Sequence, residues 1–305
     1  MASAPYVITV ILNTNRREDT LACLASLAKG VYANHHVIVL DNASTDGSVQ
    51  AIQDQFPGVE VISLARNLGY TGNNNVGLEA AMQQGADWVF VLNEDTVVAG
   101  DCIAQLIAAA ENDPQVGIVG PLVYHHDEPT VIQSAGGMLD KRWFAVHLGQ
   151  NEEDRGQYSQ PRTVDYISGC AILVKRQVIE QIGGLDERLF YYWEETDWCA
   201  RAREHGWKVL FAPQARLWHK GVQRDYRPGP NVTYYNTRNR FMFLSKHHAP
   251  FLVWLYAWLR TLLTLASWTV KPQWRQMREH RDAMWQGALD FLRKRWGMRP
   301  VRVGK

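Results

Sequence analysis

Trp88-Val89-Phe90-Val91-Leu92-Asn93-Glu94-Asp95-Thr96 decides the fold: a continuous apolar run that ends in a carboxylate. Such a run fits a strand buried on both faces, and in open α/β sheets ligands gather beyond the carboxyl ends of the strands. A hard cation such as Mg²⁺ or Mn²⁺ takes a few protein oxygens and completes its shell with water and phosphate, so Asp95 suits a metal-diphosphate site. The structural alternative is a turn, or a cap ahead of Asp101-Cys102-Ile103.

Working outward, Tyr6–Leu12, Val37–Leu40, Val59–Leu64 and Val116–Val119 read as further strands. Leu21, Leu24, Leu27 and Ala28 recur at helical spacing between them, as do Ile103, Leu106, Ile107 and Ala110. Alternation of this kind predicts βαβ units and a mostly parallel sheet. Residues 121–165 are irregular and predict loops and hairpins. A strand over Val164–Val174, helices near Arg176–Ile182 and Glu195–His205, and a strand over Trp207–Phe211 follow.

Two more strand ends carry polar groups. Asp41-Asn42-Ala43-Ser44-Thr45-Asp46-Gly47-Ser48 offers Thr45 or Asp46 as a helix cap, and Asp41 stands where a carboxylate can accept the N–H of a pyrimidine ring. Arg66-Asn67-Leu68-Gly69-Tyr70 places a guanidinium suited to phosphate ahead of glycines and a helix start that suit an anion. Neither a G-x-x-x-x-G-K-[ST] loop nor a G-x-G-x-x-G fingerprint occurs, which weakens ATPase and dehydrogenase readings.

A second constellation is Gly183-Gly184-Leu185-Asp186-Glu187, then Trp193-Glu194-Glu195-Thr196-Asp197-Trp198, then His219. Three carboxylates in four residues repel one another, and desolvation adds to the effect, so at least one pKa should rise, as a general base requires. Against this, acids favour a helix first turn, and Asp197 with Arg201 forms an i,i+4 pair. His219 is either a hydrogen-bonded structural histidine or a metal ligand beside Asp95.

These pieces, with Val10-Ile11-Leu12-Asn13-Thr14-Asn15, resemble in order the family-2 glycosyltransferases, inverting enzymes of GT-A type, and especially their rhamnosyltransferase-like bacterial branch. The resemblance spans roughly residues 6–245. It implies an α/β, GT-A type single domain whose mostly parallel central sheet is flanked by helices, followed by a C-terminal helical appendage. It also implies a nucleotide-sugar donor held by Asn13, Asn15, Asp41, Asn42, Arg66, Asn67 and Asn93. Asp95 and His219 would hold Mg²⁺ or Mn²⁺, and Arg238, within Tyr234-Tyr235-Asn236-Thr237-Arg238-Asn239, would touch the diphosphate. Trp193 and Asp186 would contact substrate. The family's base maps onto Glu195, with Glu194 and Asp197 as the other catalytic candidates. Three positions depart from the pattern: Glu195 replaces Asp, Asn93 replaces Asp, and Thr14 replaces an aromatic. The implied reaction moves a sugar, dTDP-rhamnose being the first donor to consider and UDP-sugars next, to a glycan or lipid-linked acceptor hydroxyl. A catalytically silent carbohydrate-binding protein and a sugar-phosphate nucleotidyltransferase are the alternatives. The latter needs a glycine-rich loop that Asn13-Thr14-Asn15-Arg16-Arg17 lacks.

The chain has 305 residues, ample for a core, and a net charge of +1. That balance hides an asymmetry: from Lys271 onward ten basic residues face three acids, about +7, which leaves about −6 before it. Four cysteines at unpaired spacings fit a reducing compartment, and Met1-Ala2-Ser3-Ala4-Pro5 has no signal-peptide pattern. The expected division is residues 1–120 for the donor, 121–248 for acceptor and catalysis, and 249–305 as a basic, Trp-rich tail. Phe251–Val270 is long enough to span a bilayer. Arg260, Thr264, Ser267 and Lys271 nevertheless draw a polar stripe, with Trp254, Trp258, Leu262 and Leu265 on the rest, which is the pattern of an in-plane helix. The expectation is therefore a cytoplasmic protein, peripheral on an anionic inner membrane face. The alternative is a tail packed on the catalytic domain or on a second copy as a homodimer. Nucleic acid is not an expected partner.

Overall fold

The computed structural model describes residues 4–221 and 226–300, so Met1–Ser3 of the N-terminal stretch and Arg302 and Lys305 of the basic tail lie outside the described residues. The first half runs β1 (Val7–Asn13), α1 (Arg17–Leu27), β2 (His35–Asp41), α2 (Ser48–Gln55), β3 (Glu60–Ser63), α3 (Gly69–Gln83), β4 (Trp88–Asn93), β5 (Thr96–Val98), α4 (Cys102–Glu111) and β6 (Val116–His125). Short strands β7 (Ile132–Ser134), β8 (Gly137–Leu139), β9 (Ala145–His147) and β10 (Arg162–Thr163) precede β11 (Ala171–Lys175), α5 (Arg176–Ile182), α6 (Glu194–Glu204) and β12 (Lys208–His219). Three helices close the chain: α7 (Pro230–Lys246), α8 (Phe251–Val270) and, after a 3-10 turn, α9 (Arg278–Leu292).

The main sheet has the order β10-β12-β6-β11-β4-β1-β2-β3. Strands β3, β2, β1 and β4 are mutually parallel, whereas β11 runs antiparallel to both β4 and β6. The apolar runs alternate faces with period two. Ile8, Val10, Val89 and Val91 enter one core; Val7, Ile11, Phe90 and Leu92 enter the other. Burial on both faces explains why β1 and β4 read as unbroken apolar segments. All four cysteines are free and buried.

Three expectations need correction. The apolar segment Val164–Val174 is not one strand, because residues between β10 and β11 leave the ladder to line the site described below. The strand expected over Trp207–Phe211 continues to His219, with its register against β6 shifting between Ala212 and Arg216. Pro213 lies there, and a residue without an N–H belongs at an irregularity rather than in a regular ladder. Further, neither Thr45 nor Asp46 is the N-cap of α2. That position is Gly47, at φ 79°, while Asp46 accepts the Ser48 N–H at 3.0 Å.

In α8, Trp254 and Trp258 turn inward and stack on Phe241 of α7, with ring centroids 5.9 and 4.3 Å apart. The outward face is instead Phe251, Leu252, Leu255, Leu259, Leu262 and Leu263, each at least half exposed. α9 lies along α7, and the approach is close: a Cβ on Gly287 would come within 2.6 Å of the Tyr234 carbonyl oxygen. By length and composition α8 suffices to cross a membrane.

Candidate active site

Parallel register sets the strand ends level: Asn13 pairs with Asp41, and Leu12 with Asn93. Asp41 is buried and accepts from Asn13 Nδ2 at 2.8 Å and from the Ser44 N–H at 3.0 Å. Asn13 in turn accepts from Thr20 Oγ1 at 2.9 Å. These two residues brace the loop and do not line the cavity beside it; Asn42 and Thr14 do. Asn15, at φ 51°, fixes the neighbouring turn by accepting the Thr45 N–H at 2.7 Å. Arg66 is exposed and outside the cavity wall, whereas Asn67 is part of it. Gly69 is required where it stands: at φ 77°, an added Cβ would lie 2.5 Å from the Phe190 carbonyl oxygen.

The cavity, about 560 Å³, is also lined by Asn93, Glu94, Asp95, His219, Glu194 and Glu195. Antiparallel pairing of β5 with β12 sets His219 opposite Thr96 and so beside Asp95. Both side chains are buried, with His219 Nε2 3.1 Å from Asp95 Oδ1. Gln133 Oε1 meets His219 Nδ1 at 2.7 Å, which puts a proton on Nδ1, so that the neutral ring has its lone pair on Nε2. Among the described residues Asp95 Oδ1 has no hydrogen-bond partner. Burial pushes the Asp95 carboxyl up, but His219, when its Nε2 carries a proton, and Arg16, whose Nη2 lies 3.3 Å from Oδ2, outweigh it and hold the group below its usual range.

An imidazole lone pair and an orphaned carboxylate oxygen at that separation fit a hard divalent cation. Neighbouring ligands of an octahedron with bonds near 2.1 Å lie roughly 3.0 Å apart. Gly221 keeps the place open, since a Cβ there would sit 2.5 Å from Asp95 Oδ2 and 3.0 Å from His219 Nε2. Among the described residues no cluster of three or more His, Cys, Asp or Glu side chains forms a metal site, so a cation here would draw its other ligands from water and phosphate. Glu94, pushed up to about 7 by burial and by Asp95, lies alongside.

The acidic run lies across the cavity. Phe190, Tyr192 and Trp193 all have left-handed backbone, with φ of 65°, 68° and 75°, and this contorted segment delivers Glu194 and Glu195 at the start of α6. Burial raises both carboxyls, Glu194 well above its ordinary value, where the charge of Glu195 adds to the effect. Among the described residues Glu194 Oε2 has no partner, whereas Glu195 accepts from Thr196 Oγ1 at 3.4 Å. Adjacent desolvated carboxyls do not readily both ionise, so the pair tends to retain a proton, and the larger rise is that of Glu194. Glu195 also lines a second cavity.

Four sequence expectations fall elsewhere. Asp197 does not line the cavity; it is paired with Arg201 Nε at 2.9 Å, Lys246 Nζ at 2.8 Å and His247 Nε2 at 3.0 Å. Asp186 binds Arg188 and Lys246, both at 2.6 Å. Arg238 is fully buried and donates to the carbonyls of Gly297, Arg188 and Leu189, so it holds loops together rather than a diphosphate. Trp193 packs on Phe243 and donates to Asn236, and it faces the second cavity. The sequence reading missed Arg16, Gln133 and Tyr70, whose hydroxyl donates to the Gly169 carbonyl at 2.7 Å. Arg16, a cation in the loop after β1, and Tyr70, at the end of the Arg66–Tyr70 motif, left a sequence signal; Gln133 left none.

The family model "Glycosyl transferase family 2" matches residues 7–183, more than half of the chain. An N-acetylglucosaminyl-diphospho-decaprenol L-rhamnosyltransferase of Mycobacterium tuberculosis is 29% identical over 74% of this chain and 80% of its own. The dTDP-rhamnosyl transferase RfbF of Shigella flexneri is 26% identical over 90% and 92%. Among solved structures, GalNAc-T7 with UDP, GalNAc and Mn²⁺ superposes with a TM-score of 0.64 at 16% identity, covering 79% of this chain and 48% of that one. The mannosyltransferase PcManGT from Pyrobaculum calidifontis, in complex with GDP-Man and Mn²⁺, gives 0.61 at 15% identity, covering 96% and 88%. These two likenesses establish the GT-A type fold.

Proposed function

The chain belongs to glycosyl transferase family 2, and we propose that it moves a sugar from a nucleoside-diphosphate donor to an acceptor hydroxyl with inversion. One observation carries the reading: the Asp95–His219 pair and the Glu194–Glu195 pair line the same cavity. Thr14, Asn42 and Asn67 take the nucleoside side, and Arg16, freed from Asp95, turns to phosphate. Glu195 removes the acceptor proton, and the resulting oxygen attacks the anomeric carbon from the face opposite the leaving diphosphate. Glu194, neutral beside it, limits water and charge around the base. A divalent cation held by Asp95 and His219 would act as a Lewis acid on the leaving group.

By likeness to the two rhamnosyltransferases, dTDP-rhamnose is the first donor to test and a lipid-linked or polysaccharide hydroxyl the acceptor. In this reading residues 1–120 serve the donor, 121–248 the acceptor and catalysis, and 249–305 seat the protein on the cytoplasmic membrane face through the exposed leucines of α8. The deciding experiment is a panel of nucleotide sugars, with and without Mn²⁺. Metal-dependent release of nucleoside diphosphate from at least one supports transfer; release from none, with the nucleotide still bound, supports a silent binding protein instead.

A further inference from the structure

On the other side of Glu195 lies the second cavity, about 460 Å³, which shares His147, Tyr192 and Glu195 with the first. Two guanidinium groups line it. Arg240, from α7, sits 3.7 Å over the Phe144 ring, and Arg260, from α8, sits 4.5 Å from the same ring centre. Arg240 is only 9% exposed, and among the described residues its Nε has no hydrogen-bond partner, although Nη2 donates to the Arg142 carbonyl at 3.0 Å. Among the described residues neither arginine is in an ion pair. Asp140 acts on Arg240, but its Oδ1 is already taken by the N–H groups of Arg142 and Phe144, both at 2.8 Å.

Two like charges over one ring, one of them desolvated and unpaired, repel each other in the free protein; an anion between them relieves both costs. Burial and the charge of Arg260 push Arg240 down to about 10, so it remains a cation at neutral pH.

We propose that Arg240 and Arg260 form an anion site that binds a phosphate or diphosphate on the acceptor, holding the acceptor hydroxyl toward Glu195. The identification of the ligand as the acceptor rests on the glycosyl-transfer reading; the anion site itself does not. Arg238, two residues earlier on α7, is locked into backbone carbonyls on a different side of that helix and is not available to the cavity. Such a group reaches the cavity either as the head of a lipid-linked sugar or on a soluble sugar phosphate.

The test is calorimetric titration of the full chain with inorganic pyrophosphate in metal-free, chelator-treated buffer, so that no cation draws the anion to Asp95. Arg260→Gln, at an exposed position where folding is safe, should weaken binding at least tenfold. Arg240→Gln should do the same and Arg240→Lys should restore most of it, while Arg16→Gln in the donor cavity should change little. Binding that survives both Arg240→Gln and Arg260→Gln, or that is lost in Arg16→Gln, overturns the proposal. Titration with geranyl diphosphate then separates the sources: tighter binding than pyrophosphate assigns a lipid-linked acceptor, equal binding a soluble one. Nucleotide-sugar turnover measured on the same samples keeps the two readings apart. Arginine-dependent pyrophosphate binding without turnover sinks only the transfer reading, and turnover without such binding sinks only the anion site.

Discussion

His247 Nε2 lies 3.0 Å from Asp197 Oδ1, tying the end of α7 to the first turn of α6, the turn that also carries Glu194 and Glu195. A carboxylate that looks catalytic in sequence is thus a structural anchor for the two that face the cavity.

Removing that anchor should therefore cost stability before chemistry. Breaking a buried ion pair costs on the order of 3–5 kcal/mol, so Asp197→Ala should lower the denaturant midpoint sharply. Arg238→Gln should behave alike, with donor affinity in the remaining folded protein within a few-fold of wild type. A large loss of donor affinity in stably folded Arg238→Gln would return that residue to the diphosphate site.

Asp95→Ala should keep the fold, by circular dichroism, while transfer falls about a thousandfold, since Lewis-acid stabilisation is worth several kcal/mol. Near wild-type transfer across a Mn²⁺ titration would remove Asp95 from the mechanism.

Glu195→Gln should lose about 10²–10⁴ in turnover, the usual contribution of a general base, with calorimetric donor affinity little changed. Glu194→Gln, which mimics a protonated Glu194, should be much milder. The reverse ranking shifts the base by one residue.

Stability should fall as pH drops from about 6.5 to 4. Burial pushes His35 and His147 down to about 4, so below the unfolded value near 6.5 the unfolded chain takes up protons that the native state refuses, worth up to about 3 kcal/mol each. A second loss follows at lower pH. Asp186 and Asp197 are held low, against the push of burial, by Arg188, Lys246 and His247, and their stabilisation disappears as they protonate. Chemical denaturation at a series of pH values measures both phases, and His147→Asn should flatten the first; an unchanged slope in that variant would exclude His147 as its source.

Leu255→Glu/Leu259→Glu/Leu262→Glu should abolish flotation of the full chain with anionic vesicles without altering its melting temperature. Substitution is preferable to truncation, because deleting α8 and α9 would bare the face of α7 on which Trp254, Trp258 and Phe291 stack. Equal flotation of variant and wild type would end the lipid reading of that face.

Much of this was legible from local pattern. Strand runs buried on both faces, such as Trp88–Asn93, announce themselves, and polar residues at their ends mark the site. What the pattern misjudged depends on long-range partners. Tryptophans 254 and 258 fit an interfacial stripe until Phe241 offers rings at the matching spacing. Arg238 and Arg240 look alike on paper, and only the carbonyls of the Arg188–Leu189 loop and of Gly297 show which one is occupied. Gln133, which sets the tautomer of His219 from 86 residues away, carries no motif at all.

The left-handed stretch at Phe190, Tyr192 and Trp193 has a cost of order 1 kcal/mol or more per residue, and aromatic neighbours from α7 keep it in place: Tyr235 stacked on Phe190 and Phe243 against Trp193. Such a segment behaves like a cocked spring whose catch lies outside the nucleotide-binding half. Loosening the catch, by trimming Phe243 or Tyr235, would let the backbone relax to ordinary dihedrals and swing both glutamates away from the cavity. Activity would then fade while the protein still melts as a folded whole, so in this chain defects far from the strand ends can masquerade as defects of chemistry.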